Sequence, residues 1–352
     1  MARSPSPHAA PAARTRILIV DDSVVARAVL TRAIEGSPSY AVVGSVPDVR
    51  AALAFLAIDQ VDLVLLDVEM PGVDGLTALP DLIAAGKGAR IVVVSSTCAD
   101  GGAAMIQALA LGAADTLEKP EVGAFAGRFG ALLIEKLDRL FEVSDIVLPR
   151  GATTMPAREH DFDIVAIGAS TGGIHALSQL LRALPAHFSQ PILITQHLPA
   201  SFMSYFAAQV AVLANRPCEV AEDRSRIRPG RILIAPGHAH MKVIAIGEGG
   251  AVRLTTEAVA SGCMPSVDPM LRSVADVYGP RSLAVVLSGM GRDGAVGAVA
   301  IAAAGGSVVV QDRESSVVWG MPGAVAASGA AHAVLPPDKI GQLIGRQRRP
   351  AC

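Results

Sequence analysis

FDIVAIGASTGG, residues 162–173, is the stretch whose reading decides the fold. Its first seven residues are apolar except for Asp163. They run into five small residues before IHALSQLLRAL (174–184), whose Leu and Ile recur at helical spacing. The stretch predicts a buried strand, a glycine-rich turn and an amphipathic helix. A strand without polar alternation suits a parallel sheet covered by helices on both faces. Outward from it, PILITQH (191–197), LAVVLSG (283–289) and GGSVVVQD (305–312) read as further parallel strands, with an Ala-rich helix between the last two. RILIAPG (231–237), MKVIAIG (241–247) and AVRLTTE (251–257) are short and closely spaced, which predicts an inserted hairpin of antiparallel strands.

Upstream the pattern recurs independently. ILIV (17–20), YAVVGSV (40–46), VDLVLLD (61–67), ARIVVVSS (89–96) and ADTLEKP (114–120) read as strands. VVARAVLTRAIEG, VRAALAFLAI and a segment with Leu132, Leu133, Leu137 and Leu140 read as helices. The fold class is thus α/β, with two doubly wound parallel-sheet domains. A chain of 352 residues at about 150 per domain agrees. The expected divisions are a disordered lead-in over 1–15, a first domain over 16–142, a linker over 143–161, a second domain over 162–346 and a tail over 347–352. The linker VSDIVLPRGATTMPAREHD has two prolines, mixed charge and no sustained period.

Composition excludes several classes. A net charge of −2 lacks the basic excess of a generic nucleic-acid binder, so no nucleic-acid partner is expected. No run of about 18 apolar residues occurs without charged or turn residues, so no membrane insertion is expected. Cys98, Cys218, Cys263 and Cys352 are scattered without a Cys-x-x-Cys pair, which argues against a zinc framework or disulfides. The first sixteen residues have no apolar stretch of the secretory type, and a cytoplasmic location is expected.

In the first half, Asp21 and Asp22 follow one strand and Asp67 ends another, and the carboxyl ends of neighbouring strands meet at one crevice. Three convergent carboxylates repel each other unless a hard divalent cation such as Mg²⁺ sits among them. Ser95 ends the fourth strand and Lys119 follows the fifth, so a hydroxyl and a cation point at the same place, suiting a phosphoryl group on Asp67. Each residue has a plainer reading, since a lone Asp at a strand end commonly caps a helix.

In the second half, Gly168, Ser170 and Gly172 fit G-x-S-x-G between a strand and a helix, the context of a nucleophile elbow. A dinucleotide-binding turn shares that context, but it would want an acidic residue at the end of the next strand, which here ends in Gln196-His197. His197 is placed as a general base for Ser170, while His187 and His332 read as structural. Asp293 is the candidate to orient the imidazole; its alternative is an N-cap on the following helix AVGAVAIAAAGG. Backbone N–H groups near Thr171 and Met290 are the oxyanion candidates.

Over nearly its whole length the first half resembles the receiver domain of bacterial response regulators, through ILIVDDS, LLDVEMPGVDG, VVVSS and EKP. With GASTGG, TQHLP, PSVD, SGMGRDG and WGMPG, the whole chain resembles the chemotaxis methylesterase family, CheB. The resemblance implies a flavodoxin-like receiver and a Rossmann-like esterase domain. It implies Asp67 as phosphoacceptor, Asp21, Asp22 and the Glu69 carbonyl as further Mg²⁺ ligands, and Ser95 and Lys119 as switch residues. Ser170, His197 and Asp293 become nucleophile, base and orienting acid, with Thr171 and Met290 at the oxyanion positions and no cofactor for the ester reaction. The implied activity is phosphorylation-activated hydrolysis of glutamate methyl esters on chemoreceptors, with deamidation of receptor glutamines, and a CheA-type histidine kinase as phosphodonor. One departure stands out: before PSVD this chain has Cys263-Met264, where the family usually carries a His and a basic residue. Two other readings remain, a phospho-switch adaptor with an idle second domain and a nucleotide-dependent oxidoreductase.

Overall fold

A computed structural model describes residues 14–95, 101–119, 126–141, 161–247 and 249–346. The expected lead-in up to residue 13, the linker over 143–160 and the tail from 347 lie outside the described residues, as do Cys98 and Cys352. The described residues form two compact units. Among them no helix is long and apolar enough to cross a membrane.

The first unit is organised on a five-stranded sheet. The elements of this half of the chain are, in order, β1 (Thr15–Val20), α1 (Val24–Glu35), β2 (Tyr40–Val46), α2 (Val49–Ile58), β3 (Leu63–Asp67), α3 (Gly75–Ala85), β4 (Arg90–Ser95), α4 (Gly101–Leu111), β5 (Asp115–Glu118) and α5 (Ala126–Phe141), of which α4 groups with the second unit. The strand order is β2-β1-β3-β4-β5, the flavodoxin-like arrangement. All five residues of β3 are buried, the reason its sequence shows no polar alternation. Short polar side chains start the helices: Ser23 accepts the Ala26 N–H at 3.2 Å, Asp48 that of Ala51 at 2.8 Å and Asp74 that of Thr77 at 2.7 Å.

The second unit contains β6 (Ile164–Ala169), α6 (Gly173–Arg182), β7 (Ile192–Gln196), α7 (Met203–Ala214), β8 (Cys218–Val220), β9 (Ile232–Ile234), β10 (His240–Ile246), β11 (Gly249–Thr255), α8 (Val267–Tyr278), β12 (Ser282–Val286), α9 (Ala295–Ala303), β13 (Ser307–Gln311), α10 (Met321–Ala327), β14 (Ala333–Leu335) and α11 (Pro337–Gly345). Its seven-stranded parallel sheet has the order β14-β13-β12-β6-β7-β9-β8. Here one expectation needs correcting. Of the three segments assigned to an antiparallel insertion, only β10 and β11 form the hairpin, paired from His240↔Thr255 to Ile246↔Gly249. The RILIAPG segment is β9, which pairs in parallel with β7 and β8. Its Ile232–Ile234 core is fully apolar, the mark of a covered parallel strand, and only its brevity and nearness to the hairpin suggested otherwise.

The chain leaves β6 toward β7 on one side and later returns through β12 on the other, so the sheet switches direction between β6 and β12. Ligand sites of doubly wound sheets lie outside the carboxyl ends of strands at such a point. Beneath it Ile164, Leu193, Val267, Met270, Leu271 and Val286 share one buried core. Each fully buried aliphatic side chain contributes about 1.5–3 kcal/mol, which fixes the strand ends as a rigid platform.

Candidate functional site

Two strand ends at the switch point, and the loop that follows β12, carry the side chains. The β6–β7 register pairs Ala169 with Gln196, so Ser170 and His197 are the next residues out on neighbouring strands, and the His197 N–H donates to the Ala169 carbonyl at 3.0 Å. On the other side of β6, the Ser170 N–H donates to the Ser288 carbonyl at 3.0 Å, just beyond β12. The Ser170 carbonyl accepts from Gln196 Nε2 at 2.9 Å and from the Gly173 N–H at 2.8 Å. The serine backbone is thus held from three directions on a tight elbow. Glycine is required at Gly172, where φ is +73° and a Cβ would lie 2.5 Å from Val317 and 2.8 Å from Ser288 Oγ. It is required again at Gly289, where a Cβ would meet the Ser170 Cβ at 2.8 Å and Met321 Sδ at 2.3 Å.

His197 Nε2 lies 2.8 Å from Asp293 Oδ2, so the ring turns Nε2 to the carboxylate and leaves Nδ1 as the nitrogen available to a hydroxyl. Ser170, Thr171 and His197 line one small cleft. Asp293 is buried, yet its carboxylate is fully occupied. Oδ2 also accepts the Val267 N–H at 2.7 Å, and Oδ1 accepts the Ser266 hydroxyl at 2.7 Å and the N–H groups of Asp268 and Gly294 at 3.3 and 3.1 Å. Burial alone would push this carboxyl up; the hydrogen bonds from His197, Val267 and Ser266 reverse that and hold it down at about 2. For His197, burial opposes the charged ring, and Asp293 and Cys263 overcome it, raising the imidazole to about 9.

The sequence left Asp293 with an N-cap alternative on the following helix. α9 takes no side-chain cap from its own N-cap residue, which is Gly294 at φ +89°. Asp293 instead receives the first N–H groups of α8, whose positive dipole end favours the carboxylate. Asp268, on α8, returns the arrangement by accepting the Gly297 N–H of α9 at 2.7 Å. Each helix start is capped by an acidic residue from the other segment. The N–H groups of Thr171 and Met290 donate no hydrogen bond among the described residues, whereas nearby N–H groups at 170, 173 and 289 are all used. Two free donors beside the elbow suit an oxyanion. His332 Nδ1 accepts the Val308 N–H at 3.1 Å.

In the first unit, Asp21 and Asp67 are buried, Asp22 is exposed, and one oxygen of each lies within 4.8 Å of the others. Lys119 Nζ bridges Asp21 Oδ2 at 2.9 Å and Asp67 Oδ2 at 2.7 Å. Asp21 Oδ1 accepts the Ser23 N–H at 2.9 Å, and Asp67 Oδ1 accepts the Glu69 N–H at 3.2 Å. Burial raises the Asp67 carboxyl against the pull of Lys119, and the Asp21 charge adds to the rise. Burial likewise works against the Lys119 ammonium, and the two carboxylates raise it nonetheless. Ser95 is buried at the end of β4, and its carbonyl accepts the Lys119 N–H at 2.7 Å. An all-oxygen donor set with an exposed member fits Mg²⁺, which prefers carboxylates and retains water.

Residues 165–344 match the family described as CheB methylesterase, and residues 17–124 match the response regulator receiver domain. The chain belongs to the CheB methylesterase family. Among its relatives, protein-glutamate methylesterase/protein-glutamine glutaminase 1 of Paramagnetospirillum magneticum is 39% identical over 361 residues, covering 94% of this chain and 95% of the relative. Protein-glutamate methylesterase/protein-glutamine glutaminase of Azospirillum brasilense is 39% identical over 360 residues, covering 94% of this chain and 91% of the relative. The crystal structure of the Thermotoga maritima CheB methylesterase catalytic domain is 36% identical, with a TM-score of 0.51, covering 52% of this chain and 98% of that one.

Several residues around this CheB-type site escaped the sequence reading. Gln196 holds the elbow carbonyl, Ser266 and the α8 N-terminus hold Asp293, and buried His240 holds the Ser266 N–H on Nδ1 at 2.9 Å. A serine directly before an amphipathic helix was the available signal for Ser266, but its partner 27 residues on was not readable from spacing. Cys263, noted only as a departure bearing on substrate, donates its thiol to the Ser261 carbonyl at 3.7 Å and lies close to the His197 ring, whose influence pulls the thiol below its usual value.

Proposed function

We propose that the chain is a phosphorylation-regulated protein-glutamate methylesterase acting on chemoreceptor cytoplasmic domains, with protein-glutamine glutaminase activity at the same site. The observation that carries the reading is the 2.8 Å bond between His197 and Asp293 on segments flanking the Ser170 elbow. Ser170 Oγ attacks the side-chain carbonyl of a methylated glutamate while the imidazole takes its proton. The oxyanion is met by the Thr171 and Met290 N–H groups, and the imidazolium, balanced by Asp293, protonates departing methanol. Water then repeats the cycle in reverse on the acyl-serine, releasing glutamate. With a glutamine substrate the group that leaves is ammonia, and the protonation step is the same.

In the receiver, Asp67 is the phosphoacceptor and a CheA-type histidine kinase is the donor. Asp21, Asp22, Asp67 and the Glu69 carbonyl are the residues to hold Mg²⁺, which when bound supplies positive charge against the phosphoryl oxygens. Lys119 already spans Asp21 and Asp67, so a phosphoryl group on Asp67 meets this cation at once, and Ser95 offers it a hydroxyl. The protein acts in the cytoplasm. The decisive experiment mixes the purified full chain with a carboxyl-methylated receptor cytoplasmic domain and measures methanol, with and without a small phosphodonor and Mg²⁺. Methanol release that rises with phosphodonor is expected; an idle adaptor would bind the receptor and release none.

A further inference from the structure

The ester chemistry leaves one reactive group beside the catalytic pair without a task, the Cys263 thiol. Cys263 lies on the connection between β11 and α8, outside any helix or strand, and is a partly exposed free cysteine. One ring nitrogen of His197, the Cys263 sulfur and one Asp293 oxygen all lie within 4.8 Å of one another. His197 and Cys263 are partly exposed, so a small solute reaches them, while Asp293 closes the back of the cluster.

We infer that His197, Cys263 and Asp293 form an inhibitory binding site for a borderline-soft divalent cation, of which Zn²⁺ is the fitting type. The donor set decides the chemistry. Imidazole, thiolate and carboxylate are the ligands zinc uses, whereas Mg²⁺ has no affinity for sulfur. The geometry is close to what is needed. With Zn–N and Zn–O near 2.0–2.2 Å and Zn–S near 2.3 Å, a tetrahedral ion places nitrogen and oxygen about 3.4 Å apart and sulfur about 3.6 Å from each. The Nε2–Oδ2 pair, now 2.8 Å apart, opens by about 0.6 Å, and the sulfur already lies within 4.8 Å of a ring nitrogen and a carboxylate oxygen of the same two residues. Side-chain rotation in the Cys263 loop supplies such a movement. Behind the site, Ser266, Val267, Asp268 and Gly294 hold the carboxylate, an outer layer of the kind that orients metal ligands.

Binding requires no redox step. The thiol proton leaves to solvent; the neutral ring's one proton passes through solvent from Nε2 to Nδ1, while the imidazolium simply loses its Nε2 proton, and the cation takes the sulfur and Nε2 lone pairs. The imidazole, with Nε2 on the metal and a proton on Nδ1, then has no lone pair for the Ser170 proton. This inhibitory consequence rests on the reading of His197 as the general base; the binding itself does not.

The test uses the full chain, with Co²⁺ as a spectroscopic substitute for Zn²⁺. A thiolate-to-cobalt charge-transfer band should appear and saturate at one equivalent, be displaced by Zn²⁺, and resist excess Mg²⁺; the all-oxygen cluster around Asp67 cannot produce it. Cys218, whose thiol burial pushes up to about 12, is a poor competitor. Cys263→Ser should abolish the band. Zn²⁺ at concentrations that displace cobalt should suppress methanol release, EDTA should restore it, and Cys263→Ser, relative to its own zinc-free rate, should need roughly tenfold more zinc or greater. Absence of the band, or its persistence in Cys263→Ser, overturns the site. A band with methanol release untouched by zinc overturns the inhibitory assignment while the ester reading stands. If the zinc-free protein releases no methanol, the ester reading fails and with it the inhibitory assignment, and the band alone decides whether the cation site exists.

Discussion

Replacing Asp293 by asparagine separates what this residue does for the fold from what it does for the chemistry. The amide must put its NH₂ where one carboxylate oxygen now accepts. At the Oδ2 position it faces the Val267 N–H; at the Oδ1 position it faces those of Asp268 and Gly294, while the Ser266 hydroxyl can turn round. Either way a buried N–H confronts another donor, at a cost of about 1–3 kcal/mol. Removing the negative charge from the start of α8 costs about 0.3–1 kcal/mol more. The sum, about 1–4 kcal/mol, should appear in urea unfolding followed through Trp319, the chain's one tryptophan, which is buried in the second unit. Both roles predict that loss, so stability does not choose between them. The rate does. With NH₂ toward His197, Nε2 becomes an acceptor and the ring proton moves to Nδ1, the nitrogen that must accept from Ser170; with C=O toward it, the imidazolium loses its counter-charge. A fall in kcat of about 10⁴, near 5.4 kcal/mol of barrier, with KM little changed is expected in the methanol-release assay. A destabilised variant whose kcat stays within tenfold of the wild type would refute the reasoning and leave Asp293 as a helix cap alone.

Ser170→Ala should fold as the wild type does and lose on the order of a millionfold in kcat; a tenth of wild-type methanol release would sink the serine mechanism. Gly289→Ala places a methyl group against the Ser170 Cβ and Met321 Sδ, so kcat should drop by about two orders of magnitude from a displacement of well under 1 Å, checked by steady-state kinetics. In chelator-treated buffer, kcat/KM should rise with pH as His197 loses its proton. Because its partners raise the imidazole, the rise should lie above 6.5, toward about 9, and Cys263→Ser, which removes one of those partners, should move it to lower pH; an unmoved limb contradicts the contact. Asp67→Asn should abolish incorporation of a labelled phosphoryl group and leave methanol release blind to phosphodonor, with the unstimulated rate retained.

The strand ends that carry Ser170, His197 and Asp67 were readable because fully buried parallel strands write nearly unbroken apolar runs, and each candidate site residue follows such a run within three positions. The three-residue strand β8 is broken by Glu219, and β14 offers only Ala-Val-Leu. β9 offered a run too short to distinguish a parallel strand from a hairpin arm. Asp293 was legible as an acid after a strand, but not as the cap of α8, because that contact joins segments 26 residues apart that only the folded core brings together. The same holds for Cys263. Its identity was visible, while its approach to His197 depends on the path of a loop that no local periodicity encodes.

The exchange of caps between α8 and α9 ties the site to segments far apart in the chain. β6 and β7 pair within residues up to 197, but Ser170 is held only when the Ser288 carbonyl lies against it, and the Asp293 carboxylate has its final direction only with both helix starts beside it. Ester hydrolysis becomes a property of the completed second unit, and the activity of a preparation counts molecules that have finished folding rather than molecules that have merely collapsed.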